Sequence, residues 1–299
     1  SPQKNTGPLG LSEITWQNGL AMKTRAFALL SISVVYAAVA SAAYACPNCK
    51  KGYIFGPGVA VGNGMAFTWA KIAPGPKFKI ESMGVTLTES ALEGLPKDLD
   101  PKMPMKMYIL ELPPQIQGQP FDHVELDWNP VGHEPEQIYG RPHFDIHFYT
   151  IDEAAKEKIL ARGGDLKKCN LKPSPEFIPS GYILPPGTVV PRMGAHWIDP
   201  KTPELNGQPF SSTFLYGSYN GKTAFFEPMI THEFLASKPD FHQPIPMPKA
   251  FDKTGFYPCE YGVKYNEARK EITISLDNLI FAKAKSPAKT MPAKPKKKA

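Results

Sequence analysis

Between residues 142 and 149 the chain reads Pro-His-Phe-Asp-Ile-His-Phe-Tyr, a strict alternation of polar and apolar side chains. A strand sends every second side chain to one side, so His143, Asp145, His147 and Tyr149 share a face and Phe144, Ile146 and Phe148 take the other. The apolar face can pack against a core. Three ionisable groups in a row on the opposite face are costly to bury unless they are hydrogen-bonded, protonated or bound to a metal.

Shorter runs of the same kind, punctuated by proline, glycine and Asn-Pro, predict strands over 66–72, 77–87, 105–112, 122–128, 195–198, 260–265 and 271–281. Asn220-Gly221 between aromatic-rich runs predicts a two-residue type I′ hairpin within 210–229. Its register pairs Tyr219 with Lys222, Tyr216 with Phe225 and Phe214 with Glu227, which sets Glu227 among Phe214, Tyr216 and Phe225. Helical signals are few. A turn or two follows Thr88, and Thr231 caps a brief helix reaching Ser237. The strongest is 151–162, IDEAAKEKILAR, acidic at its start, basic at its end and closed by Gly163-Gly164. Short strands and 33 prolines make this a mainly β fold, one antiparallel barrel or sandwich with two or three short helices, over residues 46–281.

The ends read differently. From Met22 the chain has the parts of a secretory signal: Lys23 and Arg25, an apolar stretch from Ala26 to Val39, and Ala43-Tyr44-Ala45 as small residues before a cut at Cys46. Residues 1–21 read as upstream sequence, and the mature protein is expected in the periplasm or outside the cell. An uncleaved membrane anchor and a lipoprotein at Cys46 rank behind. Residues 282–299 are lysine, alanine and proline with no aromatic, a solvated tail. With both ends set aside the body carries 24 Lys and Arg against 27 Asp and Glu, so the whole chain's pI near 8.9 is a property of the lysine-rich tail. That argues against a nucleic-acid-binding fold, whose positive charge sits on the domain. The tail suits an anionic membrane or envelope polymer. An exported chain with Cys46, Cys49, Cys169 and Cys259 invites disulfides, with Cys46–Cys49 and Cys169–Cys259 favoured among three connectivities.

His196, in Met-Gly-Ala-His-Trp, and Glu227 complete a candidate set with His143, Asp145 and His147. Imidazoles and carboxylates from separate strands are the donors that zinc, iron and manganese sites use, zinc ahead of the other two. His143 and His147 lie about 13 Å apart on a flat strand, too far to share one ion. One of them, with Asp145, therefore joins His196 and Glu227, and the other stands behind. A metal-free acid–base pocket and hydrogen-bonded structural histidines are the competing readings. His133 and Glu134 read as loop-fixing hydrogen bonders, His123 and His242 as surface residues. The aromatic lining of Phe214, Tyr216, Phe225 and Trp197 also suits a small molecule, so a metal-dependent enzyme and a non-catalytic envelope binding protein both remain, and the composition permits a homo-oligomer. No nucleophile elbow and no phosphate-binding glycine loop is present.

The blocks WNPVGHEPEQIYGRPHFDIHFY, VPRMGAHWIDP and TFLYGSYNGKTAFFEPMIT resemble an uncharacterised family of exported bacterial proteins known from Thermus and others, over roughly Gly56–Leu235. The resemblance implies an exported β-rich domain of undetermined activity. Its blocks hold His133, His143, Asp145, His147, His196 and Glu227. A looser likeness, of His143, Asp145 and His196 to the ligands of Fe(II) oxygenases, lacks the arginine that would anchor 2-oxoglutarate.

Overall fold

The computed structural model describes residues 52–286. The signal segment, the Cys46–Cys49 pair and the tail beyond residue 286 lie outside the described residues. In chain order the strands are β1 (Tyr53–Phe55), β2 (Val59–Val61), β3 (Gly64–Ile72), β4 (Ile80–Thr88), β5 (Lys106–Glu111), β6 (His123–Asn129) and β7 (His143–Tyr149). There follow β8 (Val189–Val190), β9 (Gly194–Trp197), β10 (Ser212–Tyr219), β11 (Lys222–Thr231), β12 (Asp240–Pro244), β13 (Gly255–Tyr257), β14 (Glu260–Asn266), β15 (Glu271–Asp277) and β16 (Ile280–Ala282). Helices are single turns: α1 (Glu136–Tyr139), α2 (Glu153–Lys156), α3 (Leu166–Cys169) and α4 (His232–Ala236). None of the described helices is long and apolar enough to cross a membrane.

The strands form two seven-stranded antiparallel sheets, and β13 and β16 pair as a separate two-stranded one. Sheet I runs β1-β3-β4-β15-β14-β12 with β2 beside β3, and sheet II runs β5-β6-β7-β11-β10-β9-β8. One hydrophobic core joins them, with Val85, Leu87, Val263 and Ile274 from sheet I and Leu126, Phe144, Ile146, Phe148 and Phe226 from sheet II. The mainly antiparallel β fold follows from the alternation in the chain.

Phe144, Ile146 and Phe148 are fully buried in this core. At about 1.5–3 kcal/mol for each side chain removed from water, they decide which way β7 faces. The polar side of β7 is consequently turned out of the core, onto the far face of sheet II. The expectation of a site inside a barrel is corrected here. The candidate residues sit on the outward face of one sheet, roofed by the crossing segments between β6 and β9.

Two other expectations change. The helix expected over 151–162 is cut to α2, whose Asp152 accepts from the Ala155 amide at 2.7 Å. The Lys156 side chain is drawn under the roof onto Glu125, and Ala161 takes a left-handed φ of 52° while Asp165 accepts from the Leu160 and Ala161 amides. The α4 cap does form: Thr231 Oγ1 accepts from the Phe234 amide at 3.2 Å. Cys169 and Cys259 are both free, so the expected Cys169–Cys259 disulfide is absent. Cys169 lies on α3 near Asp165, while Cys259 lies just before β14 of sheet I.

Candidate metal centre

The outward face of sheet II is polar in depth because two neighbouring strands carry the same alternation. In β6, His123, Glu125, Asp127 and Asn129 stand on the side opposite Val124, Leu126 and Trp128, and they pair directly with Tyr149, His147, Asp145 and His143 of β7. On the other flank β11 pairs Phe225 with Tyr149 and Met229 with Asp145, which sets Glu227 beside His147. All these ionisable groups are buried. His123 is among them, so its assignment to the surface is corrected, while His242 is exposed.

The hairpin brings a second correction. Asn220 and Gly221 have φ of 50° and 73°, and Tyr219 pairs with Lys222, as a type I′ turn requires. Beyond them a β-bulge between Gly217 and Ser218 leaves Ala224 unpaired and moves every later pair by one. Glu227 therefore opposes Leu215, and Gly217 opposes Phe225. Phe214 and Tyr216 belong to the sandwich core instead of surrounding Glu227. Gly217 also pairs with His196 of β9, which carries that imidazole onto the polar face.

Two groups result. His147, His196 and Glu227 have one potential ligand atom each within 4.8 Å of one another, and so do His133, His143 and Asp145. His147 Nε2 lies 3.4 Å from Glu227 Oε1, and His196 Nε2 lies 3.8 Å from Glu227 Oε2. In the other group His143 Nε2 is 3.1 Å from Asp145 Oδ1 and His133 Nε2 is 3.5 Å from Asp145 Oδ2. The structure thus separates the expected set: His147 joins His196 and Glu227, whereas His143 and Asp145 meet His133. His133 does fix its loop, donating from Nδ1 to the Glu134 carbonyl at 2.8 Å. Its other nitrogen makes it part of the layer, a role the reading of Gly-His-Glu-Pro as a plain loop missed.

The remote nitrogens set the tautomers. Nδ1 of His143 donates to the Arg141 carbonyl at 2.6 Å, and Nδ1 of His196 to the Thr188 carbonyl at 2.8 Å. A carbonyl only accepts, so in these rings, as in His133, Nδ1 carries a hydrogen and Nε2 is the nitrogen left to bind a second proton or a metal. His147 Nδ1 faces Asp127 Oδ2 at 3.3 Å. His133, His143, His147 and His196 each place Nε2 near a carboxylate oxygen, a contact that is neutralised either by a proton on the imidazole or by a cation between the two atoms. Among the described residues His143 Nε2, His147 Nε2, Asp145 Oδ1 and Glu227 Oε2 have no hydrogen-bond partner. Each such atom costs about 1–3 kcal/mol while unsatisfied.

Without an ion, protons answer this layer. Burial pushes Asp127 up to about 7, against the pull of His147. Burial likewise raises Glu227 to about 8. Burial opposes charge on His147, yet Glu227 and Asp127 outweigh it and hold the imidazole up to about 10. His133 is raised to about 9 against its burial, by Asp145. His196 goes the other way, to about 4, through burial and the neighbouring His147. Asp145 stays well below the carboxylate range despite its burial, because His143 and His133 face it.

At the far end of the layer Glu125 is met by two cations from the roof, Lys156 Nζ and Arg192 at 3.3 Å, and Arg192 also grips Glu157 at 2.7 Å. These pairs close the polar layer against solvent. A cleft of about 800 Å³ on the outer face of sheet I, lined in part by Tyr53, Trp69, Thr86 and Lys264, shares no residue with either triad.

A family model described as "TTHB210-like: Hypothetical protein TTHB210" matches residues 79–128. That stretch covers β4, β5 and β6 up to Trp128, so it includes Glu125 and Asp127 but neither triad. No curated protein and no solved structure matches the chain.

Proposed function

We propose that this chain is an exported protein that holds a transition ion, zinc ahead of iron or manganese, through His147, His196 and Glu227. It would belong to the exported bacterial family whose blocks it resembles. The observation that carries the reading is the spacing of two imidazole Nε2 atoms from the Glu227 carboxylate oxygens, 3.4 and 3.8 Å. Ligand atoms at the corners of a tetrahedron, each about 2.0–2.1 Å from zinc, stand roughly 3.3 Å apart. A proton shared between imidazole and carboxylate instead draws the two atoms to about 2.7–2.9 Å. The surroundings also fit: Asp127 behind His147 and the Thr188 carbonyl behind His196 are the kind of partners that orient metal-bound imidazoles.

The burial of this triad, with Glu227 2% and His147 0% exposed, favours a holding role over turnover at that ion. Adding zinc to metal-free protein should raise its melting temperature and saturate with the site, and His196→Ala should abolish most of that rise. A melting temperature unmoved by zinc, manganese or iron would leave the histidines as structural groups.

A further inference from the structure

We infer that His133, His143 and Asp145 form a second ion site, separate from the first, and that this is the site open to an exogenous ligand. The inference rests on the metal reading of the neighbouring triad, whose plan it repeats. Asp145 stands between two imidazoles as Glu227 does, with His143 Nε2 at 3.1 Å from one oxygen and His133 Nε2 at 3.5 Å from the other. His143 Nε2 and Asp145 Oδ1 are buried, close to each other, and without a hydrogen-bond partner among the described residues. Every ligand is also held from behind: His133 by the Glu134 carbonyl, His143 by the Arg141 carbonyl, and Asp145 by Asn129 Nδ2 at 2.9 Å. Such supports fix ring orientation and raise ligand basicity.

One ion cannot serve both triads. His143 and His147, one from each triad, are four residues apart on β7, so their positions are about 13 Å apart, beyond the reach of one ion. The two sites differ in access. The His133 side chain is 34% exposed, on a loop, whereas the ligands of the first triad are 0, 12 and 2% exposed. Three protein donors leave a coordination position to be filled by water or a small anion. Only the site with His133 has a ligand at the protein surface through which that position can exchange.

The test uses the full chain, stripped of metal and loaded with Co²⁺, with ions counted by elemental analysis and azide as the probe anion. Two ions per chain are expected, and azide should change the visible spectrum of one equivalent. His133→Ala should bind one ion and lose the azide response, and His196→Ala should bind one ion and keep it. Two ions retained in His133→Ala, or an azide response that survives there, would overturn the inference. A single ion in the parent protein would overturn the second site while sparing the first. No ion at all would remove the metal reading beneath both. The parent stoichiometry and azide equivalents decide the matter even if a variant does not fold.

Discussion

The behaviour of single side chains in this layer follows from what faces them. Without an ion, Asp127, Glu227, His133 and His147 keep protons to about 7, 8, 9 and 10. In an unfolded chain the same groups titrate near 4–6.5. Above pH 7 the folded, metal-free protein therefore binds more protons than the unfolded chain, and its stability falls as pH rises through those values. His196 and Asp145, both lowered, act in the opposite sense, but only at lower pH. Bound metal replaces the protons. The melting temperature of metal-free protein should thus drop between pH 7 and 9, and the increment gained on adding zinc should widen over the same interval. Thermal melts across that range check this, and an increment that narrows with pH would contradict it.

At the scale of elements, the bulge in the β10–β11 hairpin is the feature that aims the site. It turns Glu227 and Phe225 to one face and places the Phe225 ring against His147 and His196, with centroids 4.8 and 5.1 Å apart. Gly217 makes room for that ring, since a Cβ there would come within 2.0 Å of Phe225 Cε1. Gly217→Ala should therefore cost about 1–3 kcal/mol of stability and weaken zinc binding at His147, His196 and Glu227 together. Denaturant melts and zinc titration would read both, and an unchanged zinc affinity would mean the ring does not position the imidazoles. Asn220-Gly221 made the turn legible in the sequence, but nothing in that dipeptide announces a bulge several residues away. The error moved Glu227 into the company of Phe214 and Tyr216. The helix over 151–162 failed for a similar reason: a local amphipathic pattern yielded to a long-range demand, the burial of Lys156 against Glu125.

For the whole molecule, alternation made most of the strands readable, and with them the mainly β class and the two-faced character of β7. The direction of the polar face was not readable, because either side of a sheet in a barrel or sandwich can carry ligands. The depth of the layer was present but overlooked: His-Val-Glu-Leu-Asp-Trp-Asn in β6 alternates as strictly as β7, and Glu125, Asp127 and Asn129 follow from it. His133, Lys156 and Arg192 enter from loops and the roof, where no periodicity marks them. The assembled molecule is a sandwich whose core lies on one side of sheet II and whose ionisable layer lies on the other. The proposed function requires that ions, and not protons alone, neutralise that layer. Elemental analysis of the protein purified without chelator tests this most directly. Transition metal at one to two ions per chain, lost in His196→Ala, is the predicted result; parent protein containing no transition metal and taking up none from added zinc, manganese or iron would contradict it.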